Sequence, residues 1–211
     1  MDLKLYKAKS ITNLEKIENK LNELNYYINS KEEVGVFNFS KINENTYHII
    51  FYIKEEYHTG TKYISAINKI PMDIYINTFF ILDKNYILIE KLYNEYFKLI
   101  LDKYKTLFGI ESSPVDFQNT FFLNLIRSKI RKVLHCDLDI DGYIKSVENK
   151  ESTLDEILSG SIVDFITFTL DRDGLTKVIT SINKKGIITS KATTPIMLIN
   201  IIEIILDGNN V

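Results

Sequence analysis

The sequence predicts an α+β fold: a mostly antiparallel sheet packed with several amphipathic helices, closed by a C-terminal β-hairpin and a buried helix. Three observations predict it. Runs of β-branched and aromatic residues separated by short polar turns recur between residues 34 and 90. Blocks with apolar residues three and four apart stand at 12–30, 90–108 and 113–134. The tail reads as two strands followed by an apolar helix. The 211 residues are read as one domain, 1–211, with 1–111 and 112–211 as its natural subdomains.

In order along the chain, "TNLEKIENKLNELNYYI" opens with a capping box, Thr12 with Glu15 three residues on. Leu14, Ile17, Leu21, Leu24 and Ile28 follow as an a/d seam, too short for a coiled coil but suited to a domain core or a protein interface. Strands are expected at "VGVFNF" (34–39), "TYHIIFYI" (46–53), "KYISAI" (62–67), "DIYI" (73–76, after Pro71) and "YILIE" (86–90). "EEYHTG" is read as the turn after the second strand, and "DKN" as the turn before the last. "EKLYNEYFKLILDKYKTLF" (90–108) predicts an amphipathic helix with Leu92, Tyr96, Leu99, Ile100 and Tyr104 on its apolar face and Gly109 ending it. "SPVD" predicts a helix start, Ser113 as N-cap and Pro114 in the first turn, running to about Leu134. "DFITFTL" (164–170), "DRDG" and "LTKVITSI" (175–182) predict a hairpin, "NKKG" turns into "IITS", and Thr194 caps a last helix that ends near Gly208.

Composition narrows the function classes. Hydrophobic residues make up 45% and charged residues 26%, the balance of a folded chain. The net charge of −2 gives no global field for nucleic acid, so any such binding rests on a local patch. One cysteine, Cys136, excludes an internal disulfide and fits a reducing, cytoplasmic setting. "MDLKLYKAKS" lacks the apolar core of a signal peptide, and "PIMLINIIEIIL" (195–206) is interrupted by Asn200 and Glu203 and falls short of the roughly 20 apolar residues a bilayer needs. No membrane association is expected. Abundant Lys, Ile, Asn and Tyr with three Arg and no Trp point to AT-rich coding, as in low-GC prokaryotes and their mobile elements.

Two stretches carry candidate sites. "FFLNLIRSKIRKVL" holds two of the three arginines; on a helix, Arg127 and Arg131 would lie four apart with Lys129 and Lys132 beside them. That is a phosphate-contacting face, or a solvated helix end whose cations suit the dipole. "DLDIDGYIKSVE" (137–148) matches a calcium loop in full: Asp137, Asp139 and Asp141 as side-chain ligands, Gly142 at the sharp turn, Tyr143 by its carbonyl, Glu148 bidentate. Against calcium, Ile140 and Lys145 sit at unsuitable positions, "NKEST" reads as a new helix start, and "DRDGLTKV" supplies no second loop. Leu134, Cys136, Leu138 and Ile140 alternate with His135, Asp137, Asp139 and Asp141, which is a half-buried strand ending in an Asp-Gly turn. On that strand Asp137 and Asp139 beside His135 make a third reading, a divalent site for phosphoryl chemistry. His48 and His58 read as satisfied or solvated. No nucleophile elbow, glycine-rich phosphate loop, HExxH or CxxC occurs.

The central order is "MDIYINTFFILDKNYILIE", "KLYNEYFKLILDKYKTLFG", a "RSKIRKVLH" helix and an apolar helix ending "IIEIILDG". In element order and hydrophobic pattern, residues 60 to 208 resemble the C-terminal core of KwaB-type proteins from Kiwa, a prokaryotic anti-phage system. The resemblance implies a defence component that binds DNA or a partner protein, and it carries no catalytic residues over. The expectation is therefore a non-catalytic adaptor without a resident cofactor. Arg127, Lys129, Arg131 and Lys132 would meet nucleic acid, and the 12–30 seam would meet a protein or a second copy. The alternatives are a metal-dependent phosphodiesterase or nuclease using the 137–141 cluster with His135, and a calcium module.

Overall fold

The computed structural model describes residues 1–9, 32–61, 64–148, 161–170 and 177–207, together with Ile17, Asn19, Lys20, Asn22 and Glu23; for 58–61 and 64–68 it describes the backbone alone. The chain divides into two compact units, Lys7–Ser113 and Met1–Tyr6 with Pro114–Val211. The strands are β1 (Asp2–Lys9), β2 (Val34–Asn43), β3 (Thr46–Thr61), β4 (Ile64–Ile81), β5 (Tyr86–Glu90), β6 (Glu111–Pro114), β7 (Ile130–Ile140), β8 (Tyr143–Glu148), β9 (Ile162–Leu170), β10 (Thr180–Asn183) and β11 (Ile187–Ser190). Among the described residues, the helices seen along their length are α1 (Asn94–Phe108), α2 (Asn119–Ser128) and α3 (Pro195–Asp207), and Ile17, Asn19, Lys20, Asn22 and Glu23 are helical as well. The sheet is mostly antiparallel and dominates the helices, in keeping with the α+β expectation.

In the Lys7–Ser113 unit the strand order is β2-β3-β4-β5, with the last residues of β1 beside β5. Gly109 ends α1 in the left-handed conformation, its N–H donating to Lys105 O at 2.9 Å. Tyr96, Ile100 and Tyr104, four apart, form the buried stripe of α1. Tyr104 is the centre of this core. Its ring lies 5.3 Å from that of Phe51 and 6.0 Å from that of Phe80, and its hydroxyl is 2.7 Å from Thr78 Oγ1. Thr78 donates to Ile49 O at 2.8 Å, so it accepts from Tyr104, and both buried hydroxyls are satisfied.

Three expectations in this unit are corrected. α1 starts at Asn94, four residues later than the pattern implied, leaving Leu92 exposed; Leu99, though helical, is exposed too. "EEYHTG" is not a turn, because β3 pairs with β4 without a reversal from Thr46↔Ile81 to Thr61↔Ile64. From Ile64 on, the expected strands 62–67 and 73–76 are one strand that passes through Pro71, opposite Glu56, while 62 and 63 lie outside the described residues. Proline is tolerated there because β5 pairs only with Thr78–Ile81, leaving β4 an open side at Pro71.

In the other unit the order is β1-β11-β10-β9-β7-β8. The inward rows hold Leu3, Leu5, Val133, Cys136, Leu138, Ile166, Phe168, Ile182 and Ile188, all buried. α2 contributes Phe121, Phe122, Leu125 and Ile126, with Phe117 stacked on Phe121 at 3.9 Å between ring centroids. α3 begins as expected: Thr194 Oγ1 accepts from Met197 N–H at 3.2 Å, and Pro195 is its first residue. It buries Leu198, Ile199, Ile201, Ile202, Ile204, Ile205 and Leu206, leaving Asn200 and Asp207 exposed. The expected hairpin pairs β9 with β10 through Thr180↔Phe168, but 177–179 are not strand and β10 starts at Thr180; the expected turn "DRDG" and Leu175 lie outside the described residues.

Removing the Tyr104 hydroxyl by Tyr104→Phe costs about 1 kcal/mol, because Thr78 keeps its bond to Ile49 O. Tyr104→Ala opens a cavity among Phe51, Phe80 and Phe108 and costs roughly 3–5 kcal/mol. Urea denaturation checks both, as a lowered midpoint with an unchanged slope for the Phe variant.

Candidate functional site

α2 closes at Ser128. Lys129 is its C-cap residue, with N–H donating to Leu125 O at 3.0 Å, and Ile130 already lies in β7. The expected helix from Ser113 to Leu134 is therefore corrected: Ser113 and Pro114 end β6, and the helix occupies only 119–128. Arg127 and Arg131 do not share a helix face; Arg127 is in the last turn of α2, and Arg131 and Lys132 are on β7. The physical cause is the ladder with β9, Ile130↔Leu170, Lys132↔Thr169 and Val133↔Phe168, which takes up the backbone groups a helix would have used. The β-branched Ile130 and Val133 suit it.

The ladder keeps the basic cluster together by another route. A register irregularity between Ile130 and Lys132 leaves both Arg131 and Lys132 exposed, whereas strict alternation would turn one of them inward. Arg127 is exposed and Lys129 half-buried. None of the four forms an ion pair with a described residue, while Lys9, Lys69, Lys103, Lys105 and Lys184 each lie within 4 Å of a carboxylate. Cations at a helix C-terminus are favourable in themselves, which accounts for Arg127 and Lys129 but not for the two on β7.

Sheet register adds two cations that the linear sequence hides. Val133 pairs with Phe168, Phe168 with Thr180, and Thr180 with Ser190, so the start of β7, the end of β9, the start of β10 and the end of β11 form one end of the sheet. Lys177 precedes β10 there, and Lys191 follows β11, its N–H donating to Ile179 O at 3.1 Å. Both are exposed and neither has an acidic partner among the described residues. Only their charge marks them in the sequence, 45 or more residues from Lys132.

The opposite end of this sheet holds the acidic stretch. Residues 137–148 form the end of β7, a two-residue turn and β8, with Asp141 at φ 52° and Gly142 at φ 87°. Two consecutive left-handed residues are what a tight hairpin demands, and Asp-Gly supplies them. A calcium loop would wrap Glu148 back toward Asp137. Here Glu148 stands opposite His135, and Asp137 opposite Ser146. Asp137 Oδ1 accepts from Ser146 Oγ at 2.5 Å and lies 3.0 Å from His135 Nε2, while Asp139 Oδ1 accepts from Gly142 N–H at 2.9 Å. The carboxylate sits between histidine and serine, so no base links to the hydroxyl as a nucleophile relay requires. Among the described residues no group of three or more His, Cys, Asp and Glu is placed to hold a metal ion.

Cys136 faces the core, away from His135, as alternation on a strand dictates. Burial, with the Asp137 charge as a second cause, pushes its thiol up to about 12. In the other unit His48 stacks on Phe79 with centroids 4.7 Å apart and bonds Asn77 Oδ1 at 2.8 Å. Asn77 gives its amide N–H to Glu90, so it is His48 Nε2 that donates. The side chain of His58 is outside the described residues. Of the 12–30 seam, Ile17 is described and is buried; Leu14, Leu21, Leu24 and Ile28 lie outside the described residues. Among the described residues no helix is long and apolar enough to cross a membrane.

Two outcomes are expected. Millimolar calcium leaves the melting temperature of the protein unchanged; a rise of several degrees that Asp137→Ala abolishes would restore the calcium loop. Cys136 stays unreactive to a thiol reagent near pH 8 in the folded protein and reacts as the protein unfolds. Because folding raises this pKa, the neutral thiol's contribution is complete below about pH 8.5 and is lost as pH rises from there toward 12. Stability measured by urea across that window therefore falls more steeply in the wild type than in Cys136→Ala.

No protein-family model matches the chain, and comparison with curated proteins finds no match.

Proposed function

We propose that this protein is a non-catalytic adaptor that recognises nucleic acid through Arg127, Lys129, Arg131 and Lys132. The single observation that carries the reading is four cations within six residues, three of them exposed, none ion-paired with a described residue. A solvated surface normally interleaves its charges; a cluster left without acidic partners offers its donors to an outside anion, and arginine fits phosphate with two parallel bonds. The role we propose for it is in prokaryotic defence against phage, in the cytoplasm, beside a protein partner that the 12–30 segment would meet; of the KwaB-like element order that suggests this role, the "RSKIRKVLH" helix is replaced by the end of α2 and β7.

Fluorescence anisotropy with a labelled DNA duplex tests the reading. The wild type binds at about 50 mM salt and weakens steeply by about 200 mM, because each neutralised phosphate releases counterions. Arg127→Ala/Arg131→Ala binds at least about tenfold more weakly at the lower salt. Absence of wild-type binding at both salts rejects the nucleic-acid reading.

A further inference from the structure

We propose that the whole strand-end rim of the unit containing α2 and α3 is a sequence-independent docking surface for the phosphate backbone of duplex nucleic acid, with Lys177 and Lys191 completing it. This deepens the function proposed above and rests on it.

The register carries the argument. From β7 to β11 the rim crosses β9 and β10, three strand spacings, or roughly 14 Å. Arg127, Lys129, Arg131 and Lys132 stand at one side of that span, Lys177 in the middle, Lys191 at the other. Three segments distant in sequence, 127–132, the approach to β10 and the end of β11, thus deliver six cations to one edge of the sheet. Duplex DNA presents a phosphate about every 3.4 Å of rise along each strand, so a span of this length faces several phosphates at once. The first turn of α3, four residues after Lys191, contains no acidic residue, so the positive end of that helix adds to the field. Asp2, beside Thr189, is the nearby acid among the described residues on β1. The connection 171–176, which by sequence carries Asp171, Arg172 and Asp173, lies outside the described residues.

Two features select a duplex backbone over a single strand or a base-read site. Single strands are held largely by stacking on exposed aromatic rings. The strongly exposed aromatic residue of this unit, Tyr143, lies beside the β7–β8 turn, at the opposite end of the sheet. The six rim side chains are cations with donors only, which address phosphate and form no donor–acceptor pattern matching base edges. Asp137, Asp139 and Asp141, toward the β7–β8 turn, repel a polyanion, so the charge separation along β7 orients the approach, while Glu148 stands opposite His135, nearer the rim.

The test compares four full-length proteins by anisotropy on a short random-sequence DNA duplex and on one of its strands alone, across salt. They are the wild type, Arg127→Ala/Arg131→Ala, Lys177→Ala/Lys191→Ala, and Lys91→Ala/Lys98→Ala, whose exposed lysines lie in the other unit. Circular dichroism confirms that each is folded. The Lys177/Lys191 variant is expected to bind about tenfold more weakly at low salt, with a slope of log affinity against log salt shallower by about 1.8, two phosphate contacts' worth. The Lys91/Lys98 variant binds as the wild type does, and the duplex binds more tightly than the strand. If the arginine variant weakens binding while the Lys177/Lys191 variant keeps wild-type affinity and slope, the wider rim is rejected and the adaptor reading stands. Tighter binding of the single strand also rejects the rim. If the wild type binds neither probe, the adaptor reading itself fails.

Discussion

β7 runs between β8 and β9, and its backbone from Ile130 to Ile140 is committed to those two neighbours. That commitment ends α2 at Ser128, since residues that pair with β9 cannot also close helical turns. It places Val133, Cys136 and Leu138 in the core and His135, Asp137 and Asp139 on the other face. It also fixes where the chain reverses, at Asp141 and Gly142, the pair best suited to two successive left-handed conformations. The basic corner, the buried thiol and the acidic hairpin are three consequences of one ladder.

The same ladder separates charge along the strand direction. Arg131 and Lys132 enter β7 at one end and the aspartates leave it at the other, the pair and the turn separated by residues 133–140 of the strand. The antiparallel pairing of β9, β10 and β11 delivers their ends to the same edge, so Lys177 and Lys191 join the arginines. In a chain of net charge −2, the described residues of that edge thereby include six cations. Local fields of this kind, and not net charge, govern which polyion a protein meets.

The Lys7–Ser113 unit is organised differently. Tyr104 of α1 drives a large ring between Phe51 and Phe80 and hands its hydroxyl to Thr78, so a polar atom in the core is satisfied by a strand residue whose own hydroxyl is spent on the neighbouring strand. The contact joins helix to sheet through packing and through a hydrogen bond that tolerates little displacement. Beyond it β3 and β4 continue as a paired ribbon past the ends of their other neighbours, which is why neither "EEYHTG" nor Pro71 interrupts them.

Features governed by a few adjacent residues were legible in the sequence. The Thr194–Pro195 helix start, the Gly109 stop, the Asp141–Gly142 reversal and the alternation of Cys136 with His135 and Asp137 all depend on local backbone preference or on the two-residue period of a strand. Features decided by competition between partners were not. Phe122, Ile126 and Ile130 fit a helix as well as the observed structure, and "EEYHTG" has the composition of a turn; in each case a distant strand, β9 or β4, offered the backbone hydrogen bonds that outweighed the local pattern. The basic cluster was visible as charge, but its shape and its enlargement by Lys177 and Lys191 were tertiary outcomes. Register brings together residues that no spacing relates, because cross-strand neighbours are chosen by pairing and burial and not by proximity along the chain.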